Sequence, residues 1–291
     1  MKIEGTITAL VTPFKKDGSL DIQGFESNVQ YQLEAGVNGV LPLGTTGETP
    51  TLTLEEQKEL IDATIGLCHK RIPVIVGTGS NNTAKTVEMS VMAQEMGADA
   101  VLVVTPYYNK PTDKGLYLHF KAVSDAISIP IVVYNIGSRT GKNIDVPTMI
   151  KICSLKNVKY IKEASGDIAQ MEEVIKEIPD VTVLSGDDGM TVPLMELGGK
   201  GVISVISNLV PEKVVGLTDS MLAGNVDEAK KIDAELAPLI EVAFIETNPI
   251  PIKTAMTIKG FAGGSFRLPM CDMEKENKEK LHAVLEEMHL L

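Results

Sequence analysis

Short, almost continuous apolar runs recur along the chain, and each is followed by a stretch with helical spacing of its apolar residues. The runs are TITALVTP (6–13), VNGVLPLG (37–44), PVIVGTG (73–79) and DAVLVVTP (99–106), then PIVVYN (130–135), VKYIKEA (158–164), VTVLSGD (181–187) and GVISVIS (201–207). Such runs suit parallel strands covered on both faces. The stretches between them read as amphipathic helices. In TLEEQKELIDATIGLC (53–68), Thr53 and Glu56 form a capping-box pattern, and Leu60, Ile61, Thr64, Ile65 and Cys68 share one face. Eight β/α alternations without a break predict an α/β fold of the closed (β/α)8 kind, a TIM barrel. A doubly wound open sheet would carry a glycine-rich dinucleotide turn after an early strand, and GTGSNN (77–82) matches that turn poorly.

After about residue 224 the apolar runs stop. Asp227 is placed to cap a helix running to about Phe244, NPIPIK (248–253) interrupts the pattern, and a charged helix runs from Asp272 to the end. The expected organisation is a barrel over 1–224 and a C-terminal helical appendage over 225–291.

Composition narrows the function. A length of 291 residues with 44% hydrophobic content suits one large barrel, and a net charge of −12 argues against nucleic acid or an anionic membrane as partner. No apolar run approaches the ~20 residues of a membrane span, and no apolar segment follows a basic start, so the expected location is cytoplasmic. Cys68, Cys153 and Cys271 are odd in number and widely spaced, and read as reduced thiols. His69, His119, His282 and His289 lack metal-ligand spacing, and neither a Walker A loop nor GxSxG is present. Asp187 and Asp188 could hold a cation, but neighbours on a strand point oppositely, so they read as loop structure.

In a (β/α)8 barrel the chemistry gathers where strands end. Those ends here carry Gly44-Thr45-Thr46-Gly47-Glu48, Thr105-Pro106-Tyr107-Tyr108-Asn109, Tyr134-Asn135, Ser138-Arg139-Thr140-Gly141, Lys162 and Ser185-Gly186-Asp187-Asp188. If Lys162 points inward, Ile161 and Glu163 face the helices, and an inward Tyr134 shares the lumen with the lysine. An ordinary lysine is neutral only about once in 2,500 at pH 7, and burial raises that fraction. A neutral amine attacks carbonyls to give a Schiff base, with Tyr134 available for proton transfer. A structural lysine–carboxylate pair is the competing reading. Thr45 and Thr46 offer hydroxyls and backbone N–H groups to a small carboxylate, although a tight loop can use threonine locally. Arg139 suits bidentate binding of a second carboxylate, or is simply a surface arginine. No cofactor and no metal are required, because the lysine itself supplies the electron sink.

Together GTTGE (44–48), TPYYNKP (105–111), YNIGSRTG (134–141), IKEASGD (161–167), LSGDD (184–188), GVISV (201–205) and NPIPIK (248–253) resemble the dihydrodipicolinate synthases. That family belongs to the pyruvate-dependent class I aldolase superfamily, alongside N-acetylneuraminate lyase and 2-keto-3-deoxygluconate aldolase. The resemblance covers nearly the whole chain, with the motifs in the family's order. It implies that pyruvate forms an imine on Lys162 and then condenses with L-aspartate 4-semialdehyde. Tyr134 corresponds to the proton-shuttling tyrosine, linked through Thr46 to Tyr108 of a neighbouring subunit. Thr45 and Thr46 correspond to contacts with the pyruvate carboxylate, Gly186 and Ile203 to nearby backbone carbonyls, and Arg139 to the arginine that receives the semialdehyde carboxylate. The implied assembly is a homotetramer of tight dimers.

Arg139 separates the relatives, because the sugar-acid aldolases and N-acetylneuraminate lyase generally lack it; they remain the alternative, and a non-catalytic barrel is a third. Gly137 stands where the family usually has proline, which frees the loop carrying Arg139. Lysine-inhibited members use residues matching Tyr107 and Asn81, with histidines where this chain has Leu54 and Gln57. They have a glutamate in place of Lys85, so the resemblance implies weak inhibition by lysine here.

Overall fold

The computed structural model describes residues 1–291. Eight strands follow in order: β1 (Gly5–Ala9), β2 (Gly39–Leu41), β3 (Ile75–Gly77), β4 (Ala100–Val104), β5 (Ile131–Asn135), β6 (Val158–Glu163), β7 (Thr182–Ser185) and β8 (Gly201–Ser204). All pairings are parallel, in the order β2-β1-β8-β7-β6-β5-β4-β3. A parallel bridge between Val40 and Val74 joins β2 to β3, and Gly77 N donates to the Pro42 carbonyl at 3.1 Å. The sheet thus closes into the expected barrel. Each strand falls on one of the eight apolar runs and is shorter than it, since the run ends turn into loops; β1 alone begins outside its run, by the one residue Gly5.

Alternation sorts the side chains. Ile7 and Ala9 of β1 join Leu41, Ile75, Tyr134 and Ile203 in the cluster that fills the lumen. Thr6 and Thr8 point the other way, where Thr6 Oγ1 meets Thr218 Oγ1 at 2.8 Å and Thr8 Oγ1 donates to Gln32 Oε1 at 2.7 Å. A second, larger cluster lies between strands and helices and includes Val101, Val103, Val133 and Ile161. Helix Leu54–Cys68 starts at the expected capping box and buries Leu60, Ile61, Thr64 and Cys68.

The C-terminal region departs in detail. Asn225, not Asp227, precedes helix Val226–Ala243, and Asp227 lies in its first turn, where a negative charge suits the helix dipole. NPIPIK is more than an interruption: Pro249 precedes helix Ile250–Ile258, whose first residues it supplies. The last helix covers Lys275–Glu287, starting three residues later than Asp272. Leu239, Ile252, Met256 and Leu281 from these helices share an apolar cluster with Val202, Val205 and Leu217, so the appendage packs on the β8 side of the barrel. No helix is long and apolar enough to cross a membrane. The three cysteines are unpaired.

Candidate active site

Register brings the lysine and tyrosine together. Tyr134 pairs with Lys162 across β5 and β6, so both project into the lumen, and Lys162 Nζ lies 4.2 Å from the Tyr134 ring centroid. Their neighbours turn outward as alternation requires. Ile161 enters the helix-side cluster, while Glu163 is fully buried and accepts from Ser165 N at 2.7 Å and Asn135 Nδ2 at 3.2 Å. A Cβ at Gly186 would come within 3.0 Å of Lys162 Cγ and Cε, so only glycine leaves room for the lysine stem.

Lys162 is only 7% exposed. Burial pushes its pKa down from 10.5 to about 8; the Asp188 carboxylate opposes that shift and the Arg139 charge adds to it. About one lysine in ten is then neutral at pH 7, against one in thousands for a solvated side chain. Burial also raises the Tyr134 phenol, which Arg139 offsets, so it stays protonated at neutral pH. Asp188 is 4% exposed and accepts from Val205 N at 2.9 Å and Ile206 N at 3.3 Å. Burial raises its carboxyl to about 6 despite those bonds. Strand β7 ends at Ser185, so strand alternation does not reach the two aspartates. Asp187 is exposed and caps the 3-10 turn Asp188–Met190, accepting from Gly189 N at 3.0 Å, while Asp188 is buried and belongs to the lysine's electrostatic surroundings rather than being plain loop structure.

The second loop folds as a single 3-10 turn, Thr45–Gly47. Thr45 is exposed on the wall of a cavity of about 440 Å³, whereas Thr46 is 2% exposed and its Oγ1 accepts from Asn248 Nδ2 at 3.0 Å. The turn ends at Glu48, in the left-handed region at φ 50°. Glu48 forms an ion pair with Lys253, both side chains being almost wholly buried. Lys253 Nζ also donates to the Ser265 carbonyl at 2.8 Å and lies 4.7 Å from the ring centroids of Phe14 and Phe266. Helix Ile250–Ile258 therefore grips the turn that carries the two threonines.

Arg139 sits on a short helical turn, Gly137–Thr140, and its Nη2 donates to the Asn248 carbonyl at 3.2 Å. Thr140 Oγ1 pins that turn by donating to Ile136 O at 2.9 Å. The cavity wall includes Thr45, Tyr107, Tyr134, Arg139 and Asn248, and continues past Thr49, Gln57 and Lys85. Lys162 meets this wall through Tyr134, and Thr46 meets it through Asn248. Ile203 is 1% exposed in the lumen on β8. Tyr108 stands apart: at φ 71° it points into solvent, 88% exposed, and does not line its own chain's cavity. No group of three or more His, Cys, Asp or Glu side chains is placed to hold a metal.

Asn248, Asp188 and the Glu48–Lys253 pair went unrecognised among the candidate residues. The signal for two of them was the NPIPIK segment itself, which places an asparagine and a lysine five residues apart at a helix start.

Residues 2–288 match the model of a family described as the dihydrodipicolinate synthetase family. A 4-hydroxy-tetrahydrodipicolinate synthase of Endomicrobium trichonymphae is 47% identical over 288 residues, covering 99% of each chain. The crystal structure of a dihydrodipicolinate synthase from Thermotoga maritima superposes with a TM-score of 0.97 at 44% identity, covering 100% of both chains. A dihydrodipicolinate synthase from Acinetobacter baumannii, crystallised in complex with pyruvate, gives a TM-score of 0.98 at 37% identity and covers 100% of both chains.

Proposed function

The chain belongs to the dihydrodipicolinate synthetase family, and from that premise we infer that it condenses pyruvate with L-aspartate 4-semialdehyde to give 4-hydroxytetrahydrodipicolinate. It is a lyase of the class I aldolase type, serving diaminopimelate and lysine synthesis. The observation that carries the chemistry is the buried lysine stacked on a protonated tyrosine, with its pKa brought down to about 8.

The neutral Nζ of Lys162 adds to the pyruvate C2 carbonyl, and loss of water leaves an imine. Tyr134 gives its proton to the departing hydroxyl. Removal of a C3 proton then produces the enamine, whose C3 attacks the aldehyde carbon of the semialdehyde. The new alkoxide takes up a proton. Finally the substrate's own amine adds to C2 and expels Lys162, closing the ring and freeing the enzyme.

Arg139, exposed at the cavity wall, supports binding of the semialdehyde carboxylate. The resemblance assigns the backbone carbonyls of Gly186 and Ile203 to the surroundings of the reacting lysine; in support, a Cβ at Gly186 would crowd the lysine stem, and Ile203 shares the lumen cluster with Tyr134. The two threonines divide their work by burial. Thr46, engaged by Asn248, faces the pyruvate carboxylate. Thr45 is on the open wall, where a hydroxyl can pass protons between Tyr134 and a tyrosine arriving from outside. This shifts the relay away from Thr46, which is too buried to meet an entering side chain. The exposed, left-handed Tyr108 supports a tight dimer in which it completes the neighbouring site, within a homotetramer. Mixing Tyr108→Phe with Lys162→Ala after dissociation restores one complete site per hybrid dimer only if Tyr108 crosses over. Three unpaired cysteines support a reducing, cytoplasmic setting.

Steady-state assays with pyruvate and either aspartate semialdehyde or glyceraldehyde test the substrate assignment. Preference for glyceraldehyde would make the chain a sugar-acid aldolase instead.

A further inference from the structure

Asn248 touches both halves of the site at once. Its Nδ2 donates to Thr46 Oγ1 at 3.0 Å, and its backbone carbonyl accepts from Arg139 Nη2 at 3.2 Å. The residue is 6% exposed, yet its Oδ1 is buried without a partner. A bare acceptor in the interior carries a desolvation cost, and native folds rarely tolerate one without compensation. What the arrangement gains is the direction of a hydrogen bond. An amide NH2 donates and cannot accept, so Thr46 Oγ1 is held as the acceptor in this pair. The single hydroxyl proton of Thr46 is thereby left to be donated elsewhere. The asparagine is itself held firmly: five residues on, Lys253 grips Glu48, on the same turn as Thr46.

We propose that Asn248 is a positioning residue for the first substrate: it turns the Thr46 hydroxyl outward as a donor to the pyruvate carboxylate. This rests on the reading that pyruvate is the substrate and that its carboxylate lies at Thr46. The side chain serves the pyruvate end, while the Arg139 end is served only by the backbone carbonyl. Changing the side chain therefore separates the two substrates.

The test is steady-state kinetics of the full-length enzyme with both substrates between about pH 6 and pH 9, across the ionisation range of a buried carboxyl. Asn248→Ala removes the donor, and the KM for pyruvate rises about tenfold, as expected for one lost hydrogen bond to a charged ligand. The KM for aspartate semialdehyde stays within about twofold, because the backbone carbonyl remains. Asn248→Asp is nearly isosteric and reverses the bond. Its carboxylate accepts a hydrogen bond from the Thr46 hydroxyl and repels the substrate, so the pyruvate KM rises about 100-fold at the alkaline end. As pH falls, the buried acid protonates and donates to Thr46 again, so the ratio of variant to wild-type KM shrinks. A merely structural asparagine would show no such convergence. Equal changes in both KM values, a pH-independent ratio for Asn248→Asp, or wild-type behaviour of that variant would each overturn the proposal. If Asn248→Ala does not fold, the pH dependence of Asn248→Asp decides alone, with its fold checked by circular dichroism. Borohydride trapping of pyruvate on the wild-type enzyme keeps the two readings apart. No adduct means that the pyruvate reading has failed; an adduct together with an unaffected Asn248→Asp means that only this role for Asn248 has.

Discussion

Replacing Lys162 with methionine should make the protein more stable at neutral pH while abolishing its activity. In the folded chain the lysine pKa is brought from 10.5 to about 8, chiefly by burial. The unfolded chain therefore holds a proton that the folded chain releases, and wild-type stability rises with pH between about 8 and 10.5. Below about pH 8 the full cost applies. At about 1.4 kcal/mol per pKa unit it amounts to about 3 kcal/mol, which the cation–π contact with Tyr134 trims by about 1 kcal/mol. Methionine fills similar volume without a charge to desolvate. The expected gain at pH 7 is about 2–3 kcal/mol, or a melting point higher by roughly 5 °C for a chain of this size. Urea or thermal melts of both proteins at pH 7 and near pH 10 measure it, and every other titrating group cancels in the difference. The gap should close as pH approaches 10.5. A variant less stable than wild type at pH 7, or a gap that does not change with pH, would refute the account of a lysine destabilised by its own burial.

Three other substitutions and ligands probe the surroundings of the lysine. Asp188→Asn removes the carboxylate that opposes the lysine's shift, so the alkaline rise in kcat/KM for pyruvate should move about one pH unit lower; a rise that stays in place or moves upward counts against it. Arg139→Ala should raise the KM for aspartate semialdehyde about 10- to 100-fold with little effect on pyruvate trapping, as expected for a charge-assisted contact; equal losses for both substrates would make Arg139 structural. L-Lysine should inhibit weakly, because Lys85 lines the outer cleft near Gln57 and Tyr107. A like charge at about 4 Å costs about 4 kcal/mol at an effective dielectric of 20, less where solvent screens it. In an initial-rate titration against L-lysine, half-inhibition below about a millimolar, a bound affinity near 4 kcal/mol, would contradict this.

Much of the site was readable from local pattern, because strand alternation is local. The period of two along β6 turns Lys162 inward and Ile161 and Glu163 outward, and the same period on β5 brings Tyr134 to the lysine. The helix starts were also local, as at the Thr53–Glu56 capping box. What escaped depends on distance along the chain. Glu48 and Lys253 are separated by 205 residues, and Thr46 and Asn248 by 202, and no periodicity connects such positions. Asp188 escaped for another reason. It lies past the end of β7, where strand alternation no longer applies, and only the packed barrel shows that it is buried against the backbone just after β8, hydrogen-bonded to Val205 and Ile206. Tyr108 is the converse case: its motif is plain, but its own chain leaves it in solvent.

The central claim is that Lys162 is the amine that captures pyruvate. Sodium borohydride added to the enzyme with pyruvate should inactivate it and leave a reduced secondary amine, an N-(1-carboxyethyl) group, on one lysine. Peptide mass spectrometry then identifies the site. The account predicts modification at Lys162 alone, dependent on pyruvate and absent from Lys162→Ala. Modification at another lysine, or full activity after borohydride treatment with pyruvate, would contradict it.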